Sequence, residues 1–305
     1  MRRRSTVARD AAVLGPRLVW MLGSPRTGST WLLNLLTFHP QVRTLDEPLI
    51  GAHLGLAATA TVGASARSPV AGRVPRALDV FAEHDDYFFS TRYRDAWREP
   101  LRQLIMSRFA AQLRATGGDP RRNVLVVKEP HGSEAADLLV DVLPASRFLV
   151  VVRDGRDVVD SLLDAVQPGA WAASLAQVGG SDADRQRFLE DVSTLWAERT
   201  AVVLRAVELA GERRALLLRY EDLLKDTEDG VRRILEWLGL GVPDGIGEHI
   251  KRLAFDQVDA AHRGKGHFHR AAMPGGWRDN LSKGEQQLVA RVMEPFLSQL
   301  GYDAT

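Results

Sequence analysis

The sequence predicts a single α/β domain in which a mostly parallel central sheet carries helices on both faces. Three observations support this fold class. Short apolar runs alternate along the chain with amphipathic helical patterns. Several of these runs are β-branched without a polar face, which is typical of strands covered on both sides. A glycine-rich loop also joins the first predicted strand to the first predicted helix, as in parallel sheets with helical crossovers.

The elements follow in order along the chain. The predicted strands are Leu18–Leu22, Val42–Leu45, Val124–Val127, Phe148–Val152 and Leu216–Leu218. Helical spacing of apolar residues predicts helices over Thr30–Phe38, Leu101–Leu113, Glu134–Leu143, Asp157–Ala165, Arg185–Ala210, Glu228–Leu238 and Lys283–Leu300. Ser282 and Glu285 have the spacing of a capping box, which marks the start of the last helix.

Composition excludes several classes of protein. The 305 residues carry a net charge of +1, so a general nucleic-acid-binding surface is not expected. No cysteine is present, which excludes disulfides, thiolate metal sites and cysteine nucleophiles. Only five of the 40 basic residues are lysines, so a lysine within a motif carries more weight than an arginine.

The N-terminal end of the chain and one internal segment stand apart from the strand–helix pattern. We expect residues 1–16 to be a flexible lead, because charges and Pro16 interrupt any targeting segment. No apolar run approaches the ~18 residues of a membrane span, so a cytoplasmic protein is expected. Residues 51–120 begin rich in Ala, Gly, Ser and Thr and then concentrate aromatic residues near Tyr87–Trp97. We interpret this segment as a helical insertion over the sheet, and predict that it forms a substrate lid.

The glycine loop Gly23–Thr30 has the context of an anion-binding site. It follows a strand and opens a helix, where backbone N–H groups and the helix N-terminus attract a phosphate. The Walker pattern requires a lysine after the second glycine, but here Ser29 follows Gly28 directly and the cation is Arg26. The loop therefore predicts a phosphate ligand and argues against ATP or GTP.

Two motifs together resemble those of sulfotransferases that use 3′-phosphoadenosine 5′-phosphosulfate (PAPS). Ser24–Trp31 is similar to their 5′-phosphosulfate loop, and Phe148–Ser161 is similar to their 3′-phosphate motif. The resemblance implies a P-loop-like fold, PAPS as co-substrate and sulfuryl transfer to a hydroxyl, or less often an amine. It implies that the cofactor contacts Arg26, Thr27, Gly28, Ser29 and Thr30 at its 5′ end, and Arg153 and Ser161 at its 3′ end.

Strand ends supply the catalytic candidates. Ligands of open α/β sheets bind at the carboxyl ends of the strands, where Lys128 and Glu47 follow two of the predicted strands. Lys128 and Arg26 are the predicted charge-stabilising cations. The segment from Lys128 to His131 resembles the catalytic-lysine segment of tyrosylprotein sulfotransferases, and Glu47 lies where those enzymes carry a base. His131 is the alternative base, because cytosolic sulfotransferases carry a histidine near this position.

The resemblance extends to the predicted adenine and 3′-phosphate contacts. Trp31 and Tyr220 match family positions near the adenine, although both would equally suit a core. The loop Phe268–Asn280 resembles the family loop that closes over the 3′-phosphate, with Arg270 matching by type and Ala271-Ala272 replacing Lys-Gly.

The remaining expectations concern metals, partners and rival functions. No metal site is expected, because no histidine or carboxylate cluster has ligand spacing. The predicted acceptor is a small molecule, carbohydrate or lipid, and its identity and the oligomeric state are left open. An ATP-dependent small-molecule kinase and an inactive nucleotide-binding protein are the rival interpretations.

Overall fold

Five parallel strands form the central sheet. The structure, a computed structural model, describes residues 9–54, 76–174, 181–271 and 273–302. The strands are β1 Leu18–Gly23, β2 Val42–Asp46, β3 Val124–Lys128, β4 Arg147–Val152 and β5 Ala215–Arg219, in the spatial order β2-β3-β1-β4-β5. All five predicted strands are present, and the predicted parallel α/β class is confirmed.

Alternate residues of each strand enter two different hydrophobic cores. In β1, Trp20 is buried on one face and Val19 and Met21 on the other, each with no exposed surface. In the sheet, Trp20 pairs with Val127 of β3 and Phe148 of β4. Burial on both faces explains the continuous apolar runs that the sequence shows.

Helices cover both faces of the sheet. In the described part of the chain, after a helical stretch over residues 9–14, they are α1 Ser29–Leu36, α2 Ile50–His53, α3 Ala77–Phe81, α4 Arg94–Ala115, α5 Ala136–Val142, α6 Gly155–Ala165, α7 Asp182–Ala210, α8 Tyr220–Lys225, α9 Thr227–Leu238, α10 Ile246–Arg252, α11 Trp277–Asn280, α12 Lys283–Met293 and α13 Phe296–Gln299. One core packs between the sheet and α4, α5, α6, α7 and α12, and the other between the sheet, α1 and α9. The predicted three-layer arrangement is therefore present.

The two ends of the chain differ from the sequence expectation. Residues 9–14 are helical, Leu14 is fully buried in the core, and Asp10 forms an ion pair with Arg114 of α4. The predicted flexible lead therefore does not extend over residues 9–16, while residues 1–8 lie outside the described part. The single helix predicted over Lys283–Leu300 is two helices, because Pro295 has no N–H with which to continue the first. The predicted capping box of Ser282 and Glu285 is present.

The described part of the predicted lid packs against the sheet. Phe109 of α4 is 2% exposed and lies 5.6 Å from Trp20 of β1, measured between ring centroids. Phe89 is also buried, and Trp97 packs against it. Residues 76–120 thus complete a core layer, residues 55–75 lie outside the described part, and the lid stays a prediction.

The order of the strands creates a switch point at the carboxyl edge of the sheet. β1 lies between β3 and β4, and the chain visits the β2 side first and the β4 side afterwards. The carboxyl end of β1 is therefore the switch point at which open α/β sheets bind ligands. Within the described residues, no helix combines the length and the apolar character that a bilayer crossing requires. The cytoplasmic location stays a prediction.

The core role of α4 predicts the effect of Phe109→Ala. Removing this buried ring leaves a cavity beneath Trp20 and should lower the free energy of unfolding by about 3–5 kcal/mol. Urea denaturation measures the change. Phe88→Ala is the matched control, because Phe88 is 76% exposed and its loss should be nearly neutral. Equal effects of the two substitutions would contradict the packing described here.

Candidate active site

The loop between β1 and α1 lies against its neighbours without intervening space. Gly23 has φ +142°, and a Cβ there would lie 2.1 Å from the carbonyl oxygen of Val151 in β4. Gly28 has φ +79°, and a Cβ there would lie 2.6 Å from the ring of Tyr220. Helix α1 begins at Ser29 without a side-chain cap, so its first N–H groups remain available to an anion.

A cavity of about 1150 Å³ opens beside this loop at the carboxyl edge of the sheet. It is lined by twelve of the thirteen residues predicted from the sequence, namely Arg26, Gly28, Ser29, Thr30, Trp31, Glu47, Lys128, His131, Arg153, Ser161, Tyr220 and Arg270. Thr27 is the exception. It is 1% exposed, and its hydroxyl donates to the carbonyl of Ser24 at 2.9 Å. The Thr27 hydroxyl therefore stabilises the loop itself.

Three guanidinium groups meet at one end of the cavity. Arg26 Nε donates to Ser161 Oγ at 3.0 Å, and Arg153 Nη1 donates to the backbone carbonyl of Arg26 at 3.0 Å. Burial, together with the charges of Arg153 and Arg270, lowers the pKa of Arg26 to about 10. A cationic cluster of this kind is stabilised by an anion, and Ser161 adds a hydroxyl donor at the same point.

Arg26 also lies against two aromatic rings, Phe268 and Trp171, which contact each other with their centroids 5.2 Å apart. Its guanidinium carbon lies 4.7 Å from the ring centroid of Phe268 and 5.5 Å from that of Trp171, and Nη2 donates to the carbonyl of Phe268 at 2.6 Å. Sequence reasoning did not identify either ring as a site residue. The Arg26 side chain therefore lies beside Arg153 and Ser161, the residues predicted to hold the 3′-phosphate, and its role as a charge-stabilising cation stays a prediction.

The loop that carries Arg270 is tied to one face of α6. Asp160 forms an ion pair with Arg270, and Asp157 accepts from the backbone N–H of Gly275 at 2.7 Å. Asp164 accepts from the N–H of Gly266 at 2.9 Å. The three aspartates recur at helical spacing, a pattern that the sequence contains but that was not recognised as a docking face.

Lys128 is the centre of the other end of the cavity. Its side chain is 4% exposed, and Nζ lies 2.9 Å from Thr30 Oγ1, 2.8 Å from Asp46 Oδ1 and 2.9 Å from Glu47 Oε1. Thr30 belongs to the first turn of α1, so Lys128 links the anion-binding loop to the predicted base. Lys128, one of five lysines in the chain, is therefore placed where its charge could act on an anion held by the loop.

Glu47 and His131 lie side by side. His131 Nε2 is 3.6 Å from Glu47 Oε2, which is a close approach but longer than a hydrogen bond. Partial burial lowers the pKa of His131 from its ordinary value, which favours the neutral imidazole. The structure therefore brings both base candidates to Lys128 and leaves the choice between them to experiment.

An aromatic slot forms a further wall of the cavity. The rings of Trp31 and Tyr220 meet edge to face with centroids 6.2 Å apart, and Trp31 Nε1 donates to the carbonyl of Leu253 at 3.2 Å. Tyr220 is 4% exposed and lies behind Gly28. Seven residues between 250 and 258 complete the wall, and no sequence signal pointed to them, because they follow no strand.

The comparisons with known proteins agree with this geometry. A model described as the sulfotransferase family matches residues 17–244, and the chain belongs to that family. It is 26% identical over 247 residues to protein-tyrosine sulfotransferase 2 of Gallus gallus, covering 76% of this chain and 53% of that protein. It is 30% identical over 140 residues to the omega-hydroxy-beta-dihydromenaquinone-9 sulfotransferase Stf3 of Mycobacterium tuberculosis, covering 46% of this chain and 34% of that protein.

A solved structure shares the fold. Retinol dehydratase in a complex with retinol and PAP superposes with a TM-score of 0.50 at 17% identity, covering 98% of this chain and 87% of that chain. The chain spans about half the length of the first curated relatives that it matches. The resemblance expected from the two sequence motifs is confirmed.

Arg153 provides the test of the anion site. Arg153→Ala should weaken binding of adenosine 3′,5′-bisphosphate (PAP) about 10- to 100-fold, because a buried charged donor is lost. Isothermal titration calorimetry measures the affinity, and circular dichroism verifies folding. Arg108→Ala removes an exposed arginine of α4 and is the control. Unchanged affinity in Arg153→Ala would show that this end of the cavity does not hold the 3′-phosphate.

Proposed function

We propose that this protein transfers the sulfuryl group of PAPS to a hydroxyl group of an acceptor. One observation carries the proposal. A single cavity has a cationic anion-binding end, formed by the β1–α1 loop with Arg26, Arg153 and Arg270, and a second end where Lys128 meets two base candidates. A bisphosphate nucleotide with a transferable group needs one end to bind its phosphates and the other end to catalyse the transfer.

The residues present fit PAPS at three points. The open N-terminus of α1 and Thr30 suit the 5′-phosphosulfate, and Arg153 with Ser161 suits the 3′-phosphate. The slot beside Trp31 suits a planar base, since one wall is aromatic and the others are mostly apolar. Release of Arg270 from Asp160 would add a third guanidinium at the 3′-phosphate, and Ala271-Ala272 in place of Lys-Gly leaves Arg270 as the cation in that part of the loop.

The proposed reaction is an in-line displacement at sulfur. The acceptor oxygen forms a bond to sulfur while the bond from sulfur to the 5′-phosphate oxygen breaks, and its electron pair leaves with PAP. Glu47 takes the hydroxyl proton as general base. Lys128 Nζ, within hydrogen-bond distance of both Glu47 and Thr30, stabilises the charge that develops between them.

The acceptor side of the cavity is apolar. Leu162 of α6, Val166 directly after that helix, and Phe188 and Val192 of α7 also line the cavity, and we assign these residues to the acceptor. Among a small molecule, a carbohydrate and a lipid, this wall favours a hydroxyl carried on an apolar body. The name of the mycobacterial relative, a sulfotransferase for a hydroxylated menaquinone, supports the same chemistry.

Thermal shift tests the proposal against its rivals. In EDTA, PAP should raise the melting temperature while ADP should not, because the native state binds the bisphosphate. Within the described residues, no group of three histidines or carboxylates could hold a metal ion. A second assay measures the transfer of labelled sulfate from PAPS to a panel of phenols and long-chain alcohols, and this transfer should also survive EDTA. A shift that needs ADP with Mg²⁺ would favour the kinase, and PAP binding without transfer would favour an inactive binding protein.

Lys128→Ala should lower kcat about 10²- to 10³-fold and change the affinity for PAP much less. Its ammonium acts on charge that develops in the transition state, so the loss falls on turnover. Steady-state kinetics with the best acceptor of the panel, and calorimetry with PAP, separate the two effects. Lys128→Arg should rescue only partly, because the guanidinium has a different shape. A loss confined to PAP affinity would instead make Lys128 a binding residue.

Glu47→Gln and His131→Ala form a pair that identifies the base. Glu47→Gln should reduce kcat as strongly as Lys128→Ala while PAP still binds, since the amide cannot take the proton. His131→Ala should keep most of the turnover. The reverse result, an inactive His131→Ala beside an active Glu47→Gln, would assign the base to His131.

A further inference from the structure

Glu129 is a buried carboxyl that neither lines the cavity nor belongs to an ion pair within the described residues. It follows Lys128 at the end of β3 and has no exposed surface. Its Oε2 accepts a hydrogen bond from the backbone N–H of Leu49 at 3.0 Å, and its Oε1 has no partner among the described residues. Burial raises the pKa of Glu129 to about 7, and the N–H groups of Leu49, Gly51 and Ile50 oppose that rise.

The segment that Glu129 holds has an unusual backbone. Glu47 has φ +45° and Leu49 has φ +58°, with Pro48 between them. Residues with side chains rarely adopt these left-handed conformations, and they persist only where surrounding contacts fix them. The proposed base thus sits on a strained turn whose geometry depends on its contacts.

Besides the ion pair of Lys128 with Glu47, three contacts fix this turn, and all come from residues 128–132. The N–H of Glu47 donates to the carbonyl of Lys128 at 2.8 Å. Gly51 lies against Gly132, where a Cβ added to Gly51 would be 2.5 Å from the Gly132 Cα. The bond from the Leu49 N–H to Glu129 is the one of these three that a side chain makes, and its acceptor is a titratable carboxyl.

We propose that Glu129 is a positioning residue, which holds the turn of residues 47–51 and so aims the Glu47 carboxylate at Lys128 and the acceptor. The inference rests on the proposed function, in which Glu47 is the base. Glu129 touches no reacting atom and acts through the Leu49 N–H. An ionised carboxylate suits this task because it only accepts hydrogen bonds, whereas a glutamine would also present N–H donors to the N–H groups of the turn.

The charge on Glu129 makes the turn sensitive to pH. The titratable groups on the elements that contact it are Glu47 on the turn, Lys128 on the same strand, and His131 and Glu134 on the 3₁₀ turn Pro130–Ala135. Of these, Glu47 contributes to the raised pKa of Glu129. Because the ionised form accepts the Leu49 N–H, the hold on the turn weakens as pH falls through about 7.

The stability of the fold should change with pH in the direction opposite to the hold of Glu129 on the turn. The pKa of Glu129 is raised on folding above the ordinary 4.5, so the folded state favours the protonated carboxyl. Its stabilising contribution is complete below pH 4.5 and is lost as pH rises through about 7. If Glu129 were merely structural, activity and stability would change with pH in the same direction. The positioning role predicts that they change in opposite directions.

The experiment compares wild type with Glu129→Gln and Glu129→Asp in the full chain. Hydrogen–deuterium exchange should show the amides of residues 47 and 49–51 exchanging about tenfold faster in both variants, which corresponds to the loss of one hydrogen bond to a charged group. The amides of the β1–α1 loop should be unchanged. In Glu129→Gln, kcat at pH 8 should fall on the order of 10²-fold while PAP affinity stays the same, as expected for a misplaced base.

Two pH series complete the test. In wild type, kcat should fall as pH drops through about 7, because Glu129 becomes protonated. This fall should be absent in Glu129→Gln, so that its kcat varies with pH only through the general base. The melting temperature of Glu129→Gln relative to wild type should rise between pH 5 and about 8. Asp137→Asn is the control, because Asp137 is a mostly buried carboxyl that binds Arg76 away from the cavity. It should lower the melting temperature without changing the kcat profile.

The failures are distinguishable. Wild type that binds no PAP, or transfers no sulfate to the panel, overturns the proposed function. Wild-type transfer together with normal amide exchange at 47–51 and an unchanged kcat profile in Glu129→Gln overturns the positioning role alone. If Glu129→Gln does not fold, Glu129→Asp decides through the same exchange measurement, since it keeps the charge and withdraws it from the Leu49 N–H.

Discussion

The site depends on the direct contact between the β1–α1 loop and its two neighbours, β4 and Tyr220. No side chain fits between Gly23 and the Val151 carbonyl, or between Gly28 and the Tyr220 ring. The loop backbone is therefore close enough to β4 for its Arg26 carbonyl to accept a hydrogen bond from Arg153. The anion-binding loop and the predicted 3′-phosphate residues are in this way parts of one rigid corner of the sheet.

The cations of the cavity are held in place by acidic or aromatic partners. Lys128 lies between two carboxylates, Arg270 pairs with Asp160, and Arg26 lies against two neighbouring aromatic rings. A buried charge without a partner is costly, so these contacts keep the cations ordered before an anion arrives. The pKa of Arg26 remains lowered although two aromatic rings contact its guanidinium. A bound anion would therefore be stabilised most strongly at this corner of the cavity.

The catalytic end has a different construction. Glu47 is carried by a strained turn, and the neighbouring segment after β3 supplies the contacts that hold it. Ser133 of the same segment accepts from the N–H of Gly23 at 2.9 Å and donates to its carbonyl at 2.7 Å. Residues 128–133 therefore connect the start of the anion-binding loop to the base, so that both are positioned by the end of one strand.

The sequence by itself determined the sheet, its parallel character and most of the site, because each signal was local. Apolar runs mark strands, and the glycine loop and the residues directly after the strands gave Arg26, Lys128 and Arg153. Only the tertiary structure decided where long loops return. It brought Phe268 over Arg26 and residues 250–258 beside Trp31, and it buried Phe89 and Phe109 of the predicted lid in the core. These contacts join segments far apart in the chain, and no short-range pattern records which of them will meet.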